Sequence, residues 1–217
     1  MCTLALTIIG FAQNTHTPLA SETDSVSYAV GINLAKSLMG GGIDSLNYQV
    51  MAEAIEDIME HNHSTMDVAT ANQLVNDYLA KKKEEAAAQI IATGTSFLEE
   101  NAKKDGVVTL PSGLQYKVIT EGTGAKPVDG QTVKAHYKGA FLDGKTFDSS
   151  YDRGQPLSIG VNQVIAGWTQ ALKLMPVGSK WELYIPYNLA YGERGSPPKI
   201  PGYSTLIFTV ELLEIVQ

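Results

Sequence analysis

Leu114-Gln115-Tyr116-Lys117-Val118-Ile119 alternates apolar and polar side chains with a period of two. That is the signature of a half-buried β-strand. It follows a stretch, Lys81 to Lys104, built mostly of Ala, Glu and Lys, with only Ile90, Ile91, Phe97 and Leu98 as large apolar groups. Such a stretch forms a helix that is polar nearly all round, the usual character of a bridge between domains. The change of period near residue 105 divides the chain into two different pieces.

Composition divides at the same place. Residues 1–105 hold six of the 20 glycines and one of the nine prolines, with 6 Lys+Arg against 14 Asp+Glu, a net −8. Residues 106–217 hold the remainder and both tryptophans, with 10 basic against 9 acidic groups, a net +1. The acidic whole, −7, argues against a nucleic-acid partner, which needs a basic face. A single cysteine excludes an intrachain disulfide framework and a Cys-rich zinc site.

Upstream of the break, the pattern is helical. Val26, Val30, Leu34 and Leu38 form a stripe over 26–39, and Gly40-Gly41-Gly42 stops it by supplying a left-handed cap. Asn47 caps a second helix bearing Met51, Ile55 and Ile58 on one side. Ser64 and Asp67 have capping-box spacing at the head of a long third helix of about 40 residues. His61 and His63 stand two apart, share no helix face and read as loop residues. The first two helices are strongly apolar but too short for a core of their own. Such a pair buries its faces against a second copy, so a homodimer through residues 21–80 is expected.

Thr3 to Ala12 is a short apolar run ending in the small-x-small triplet Gly10-Phe11-Ala12. It is too short to span a bilayer and has the look of a secretory signal, although no basic segment precedes it. Residues 1–20 are read as a signal segment and the protein as periplasmic or exported, with a cytoplasmic location as the alternative. Cys2 would then be lost on export, leaving a chain without cysteine, which suits an oxidising compartment.

Downstream, Thr132 to Tyr137, Trp181 to Ile185 and Leu206 to Ile215 read as strands, and Asp143-Gly144 as a hairpin with a type I′ turn. Gln163 to Met175 reads as one helix, with Ile165, Trp168, Leu172 and Met175 on its apolar face. The fold class is α+β: an all-helical module, a long linker helix, then an antiparallel sheet with one short helix on its face. No nucleophile elbow, phosphate-cradling glycine loop or His-Glu-x-x-His is present, and His136 has no acid partner in its neighbourhood. What remains is an aromatic and aliphatic set with a few polar groups, the composition of an apolar ligand pocket and equally of a plain core.

Five blocks then occur in order: His136-Tyr137-Lys138-Gly139, Asp143 to Ser150, Gln163 to Trp168, Leu189-Ala190-Tyr191-Gly192 and Thr205-Leu206-Ile207-Phe208. Together they resemble the FKBP-type peptidyl-prolyl cis-trans isomerases over residues 107–217. Ser27 to Gly31, the long helix and Leu110 to Tyr116 are similar to the macrophage infectivity potentiator and FkpA-like subgroup, in which an N-terminal helical module dimerises. The resemblance implies domains at 21–64 (dimerisation), 65–105 (linker helix) and 106–217 (an FKBP-like sheet wrapped around a short helix). It implies rotation about X-Pro bonds in unfolded or partly folded polypeptides, some chaperone activity, no metal or cofactor, and macrolides as inhibitors. A non-catalytic chaperone or peptide-binding module on the same fold is the alternative.

By position, the resemblance implies catalytic roles for Tyr137, Phe147, Asp148, Trp168, Tyr191 and Phe208. Trp168 becomes the pocket floor, Tyr191 a hydroxyl donor to the substrate carbonyl, and Asp148 an orienting group paired with Arg153 or Tyr137. Substrate-binding roles fall to Arg153, Leu157, Val164, Ile165 (through its backbone N–H) and Ile200. Leu157 stands where well-known members often carry an aromatic, and the proline-rich loop Gly195 to Pro201 is distinct.

Overall fold

A computed structural model describes residues 17–216. The apolar leader run, Cys2 and His16 lie outside the described residues. The chain falls into two compact units divided between Leu79 and Ala80.

The first unit holds α1 (Glu22–Gly40), α2 (Tyr48–Glu60) and the opening of α3 (Val68–Asn101). Helix α1 begins four residues before the expected Val26, because Ser21 and Asp24 form a capping box. The Ser21 hydroxyl accepts from the Asp24 N–H (3.1 Å) and the Asp24 carboxylate accepts from the Ser21 N–H (2.8 Å). Of the three terminating glycines only Gly42 is left-handed, at φ +90°, while Gly41 stays right-handed. Asn47 caps α2 as expected. The Ser64–Asp67 capping box does not form: the Ser64 hydroxyl donates to the Met66 carbonyl (2.6 Å), and Asp67 alone caps α3 by accepting from the Thr70 N–H (2.8 Å). At 34 residues, α3 is shorter than expected and spans about 51 Å. No side chain of α1 or α2 is buried, and Val26, Tyr28, Val30, Ile55 and Ile58 are 45 to 59% exposed.

The second unit is built on a seven-stranded antiparallel sheet: β1 (Val107–Thr109), β2 (Gln115–Thr120), β3 (Thr132–Ala140), β4 (Thr146–Ser149), β5 (Leu157–Gly160), β6 (Lys180–Ile185) and β7 (Leu206–Val216). The order is β1-β2-β6-β7-β3-β4, and β5 shares the outer side of β3 with β4. The short strands β1, β4 and β5 carry too few residues to show a period and are not among the expected strands. The 141–145 hairpin is not type I′. Only Gly144 is left-handed (φ +85°), and its N–H closes the turn on the Phe141 carbonyl, with the Asp143 carboxylate accepting from the Lys145 N–H.

Helix α4 (Ala166–Leu172) is shorter than the expected 163–175. Ile165 is extended (φ −59°, ψ 150°), and the Leu174 and Met175 N–H groups both turn back on the Ala171 carbonyl. The apolar spacing still serves its purpose. Trp168, Leu172 and Met175 are buried in one core with Val133, Ala135, Tyr137, Trp181, Leu183, Phe208 and Val210, the alternating residues of three adjacent strands.

Tyr184 points to the opposite face and is nonetheless buried, because the end of α3 packs over it. The Phe97 and Tyr184 rings lie 6.0 Å apart. Gly94 lets the helix close in: a Cβ there would stand 2.3 Å from the Thr205 hydroxyl oxygen. Gln115, the first residue of β2, then completes the helix end. Its amide donates to the Leu98 carbonyl (2.8 Å) and accepts from the Asn101 amide (2.9 Å), with both residues almost fully buried. Replacing Gln115 by Leu takes from the Asn101 amide its Gln115 partner and leaves the Leu98 carbonyl with the Ala102 N–H alone, at similar volume. A loss of about 1–3 kcal/mol in unfolding free energy is expected, read as a lower urea midpoint for the Gln115→Leu variant.

Candidate active site

Between α4 and the sheet opens a cleft of about 390 Å³. Strand β3 supplies Tyr137, β4 supplies Phe147 and Asp148, β5 supplies Leu157 and Ile159, and β7 supplies Phe208. The turn into α4 contributes Gln163, Val164 and Ile165, the helix contributes Trp168, and the loop after a short 3₁₀ turn (Tyr187–Leu189) contributes Tyr191.

The aromatic rings hold one another edge-on. Trp168 meets Tyr137 at 5.4 Å and 83° and Phe208 at 5.5 Å and 87°, and Phe147 meets Phe208 at 5.6 Å and 84°. These are the favoured T-shaped geometries. They depend on Gly139, since a Cβ there would lie 2.6 Å from the Phe147 ring and 2.7 Å from the Phe208 ring.

One polar network borders this apolar surface. The Tyr137 hydroxyl donates to Asp148 (2.5 Å), and the Arg153 guanidinium donates to the other Asp148 oxygen (2.5 Å) and to the Tyr137 hydroxyl oxygen (2.7 Å). Asp148 thus pairs with both candidate partners. Burial pushes its carboxyl up, but the Tyr137 hydroxyl and the Arg153 charge outweigh that and hold it below the usual carboxylate value of 3.8. Burial, with the Asp148 hydrogen bond second, pushes the Tyr137 hydroxyl above 10.0. Burial, then the charge of Asp148, raises the Tyr191 hydroxyl in the same direction. At the lining, neither the Tyr191 hydroxyl nor the Ile165 N–H has a hydrogen-bond partner among the described residues. Among the same residues no three His, Cys, Asp or Glu side chains gather as a metal site.

The structure brings together nine of the eleven residues singled out from the sequence. Arg153 stands behind Asp148, outside the lining, and Ile200 is buried in the core at 5% exposure. Ile159 and Gln163 line the cleft without having been singled out. Ile159 was legible as the i+2 neighbour of Leu157 on one strand face; Gln163 carried no chemical signal. His136, the lone histidine of β3, stacks on Tyr151 (4.7 Å) and meets the Ser150 hydroxyl (2.9 Å), clear of the cleft.

Two family patterns match the chain: the FKBP-type peptidyl-prolyl cis-trans isomerase over residues 123–213, and the domain amino-terminal to it over 23–118. The chain belongs to the FKBP-type peptidyl-prolyl cis-trans isomerase family. It is 44% identical over 196 residues to the FKBP-type 22 kDa isomerase of Escherichia coli, covering 88% of this chain and 94% of that one. It is 39% identical over 221 residues to the outer membrane protein MIP of Legionella longbeachae, covering 96% and 94%. The crystal structure of FkpA from Escherichia coli superimposes with a TM-score of 0.71 at 36% identity, over 90% of this chain and 97% of that one.

An isomerase that moves no proton should be indifferent to pH while its network keeps one protonation state. Asp148 stays ionised down to below 3.8, and both tyrosines stay protonated to above 10.0. A level kcat/KM from about pH 5 to about pH 9 is therefore expected. The sign is fixed: whatever stability ionised Asp148 adds is complete above its unfolded value and fades only as pH falls through its lower folded value. A pH–rate profile checks this, and an inflection assigned to Asp148 inside that window would contradict it.

Proposed function

We propose that the cleft over Trp168 is where this isomerase turns X-Pro bonds. The observation that carries the reading is an apolar, aromatic-walled cleft at whose lining the Tyr191 hydroxyl and the Ile165 N–H stand without partners. The X-Pro amide rotates against a barrier of about 18–20 kcal/mol because planarity gives its C–N bond partial double-bond character. Uncatalysed, this takes about tens to hundreds of seconds. No covalent bond to the protein is needed. The twisted amide has lost resonance and part of its dipole, so an apolar wall favours it over the planar ground state.

In this reading the proline ring sits on Trp168, walled by Tyr137, Phe147, Val164, Ile165 and Phe208, with Leu157 and Ile159 on the β5 side. Tyr191 and the Ile165 N–H hold substrate carbonyls, which fixes the flanking chain while the bond turns. Asp148, kept ionised and oriented by Arg153 and Tyr137, sets the field at the carbonyl being rotated. Ile200 acts as support for the wall, not as the wall. The substrates are proline-containing unfolded or partly folded polypeptides, and macrolides that mimic the twisted amide would compete for the same cleft. A protease-coupled assay on an Ala-Pro-Phe tetrapeptide tests the assignment. Tyr191→Phe should lower kcat/KM by about 2- to 10-fold, the worth of one hydrogen bond of about 0.5–1.5 kcal/mol. Wild-type turnover at the buffer rate would remove the catalytic reading of the cleft.

Residues 21–64 form the dimerisation module in this proposal, 65–105 the linker helix and 106–217 the isomerase domain. The apolar side chains left uncovered on α1 and α2 support a homodimer, because a soluble monomer rarely leaves so many in one small unit. Light scattering at micromolar concentration should give twice the 23.3 kDa chain mass, and a monomer mass would exclude it. The outer-membrane name of the Legionella longbeachae relative supports a place in the bacterial envelope.

A further inference from the structure

A second groove, of about 310 Å³, lies beside the cleft within the same compact unit. Ile90 and Thr93 of α3 form one wall, Phe141 and Leu142 at the hairpin tip the other, and Thr205 lies ahead of β7. Its surface is mostly apolar, and three of its polar side chains are engaged within the protein. The Thr93 hydroxyl donates to the Gln89 carbonyl (2.8 Å), the Ser204 hydroxyl donates to the Pro201 carbonyl (2.8 Å), and Asp143 accepts from the Lys145 N–H (2.9 Å). Such a surface rewards an apolar side chain and offers little to a polar small molecule.

The groove shares a wall with the cleft. Phe141 packs against Phe147 (5.1 Å), and Phe147 lines the cleft against Phe208 (5.6 Å), which meets Trp168 (5.5 Å). The ring-to-ring path from Trp168 to Phe141 is therefore at most about 16 Å, the reach of about five extended residues. A cleft of about 390 Å³ holds a proline and its immediate neighbours, so a longer chain must continue over the protein surface.

We propose that this groove is a subsite for the same polypeptide substrate, taking a large apolar side chain up to about five residues from the proline. It rests on the reading of the cleft as the proline site. The subsite favours substrates whose prolines lie near apolar stretches, which are the stretches that an unfolded chain exposes and a folded one buries. Short peptides do not reach it, so they report on the cleft alone.

Twelve-residue peptides with one Ala-Pro bond test this. One set carries Phe five residues before the proline, one five residues after, and one Ser at both places. Fluorescence titration gives each Kd, and the tetrapeptide assay gives kcat/KM. The full-length wild type should bind one of the Phe peptides at least about fivefold more tightly than the Ser peptide. Ile90→Asp and Leu142→Asp, on opposite walls, should each erase that preference while leaving tetrapeptide kcat/KM within about twofold of wild type. Equal affinity of the wild type for all three peptides overturns the subsite. So does a preference that survives in either variant. Wild-type tetrapeptide turnover at the buffer rate sinks the cleft reading instead, and the Kd comparison still decides the groove, since it needs no turnover.

Discussion

Edge-on packing of Tyr137 and Phe208 against Trp168 is the contact that the second unit depends on. The same three side chains belong to the buried core and to the lining of the cleft. Core and site are therefore one construction. Helix α4 is only seven residues long, far below what holds a helix in isolation, and it persists because Trp168, Ala171 and Leu172 are buried on the sheet. The cleft in turn persists because the helix cannot sink further once the rings meet edge to face. There is a cost: the Trp168 indole N–H is buried with no acceptor among the described residues. An unsatisfied donor of this kind costs about 1–3 kcal/mol, and the aromatic packing around it must offset that.

The polar edge of the site serves the apolar part. Asp148, Arg153 and the Tyr137 hydroxyl satisfy one another, so none of them has to borrow a partner from a bound chain. The Tyr191 hydroxyl and the Ile165 N–H, by contrast, keep no partner among the described residues.

Much of this was legible in the sequence, for identifiable reasons. Period-two alternation marked β2 and part of β3, and a run rich in Leu, Ile, Val and Phe marked β7; along β3 and the first half of β7 burial does alternate. The stripe of Trp168, Leu172 and Met175 gave the helix face correctly even where it overstated the helix length. What escaped was tertiary. Gly94 reads as a tolerated glycine or a bend until Thr205 is seen against it, and Gly139 reads as one glycine in a strand until two aromatic rings fill the space of its missing side chain. Ile200 carries an apolar side chain suited equally to wall or core, and only packing distinguishes them. The Ser21–Asp24 box was available in the sequence, but the apolar stripe begins later and drew the boundary with it.

The close approach at Gly94 has a consequence for how this protein can be taken apart. The sequence changes character near residue 105, and that is where a recombination point or a designed fusion would naturally be placed. The last turns of α3 do not respect it. They cover Tyr184, reach Thr205 and end in a cap supplied by Gln115. Cutting at 105 would strip the sheet's outer face and leave a strand residue capping nothing, whereas the seam between Leu79 and Ala80 falls within α3 ahead of the turns that pack on the sheet. Inheritance and engineering of this catalytic unit as a portable part should therefore carry α3 from Ala80 onward along with it.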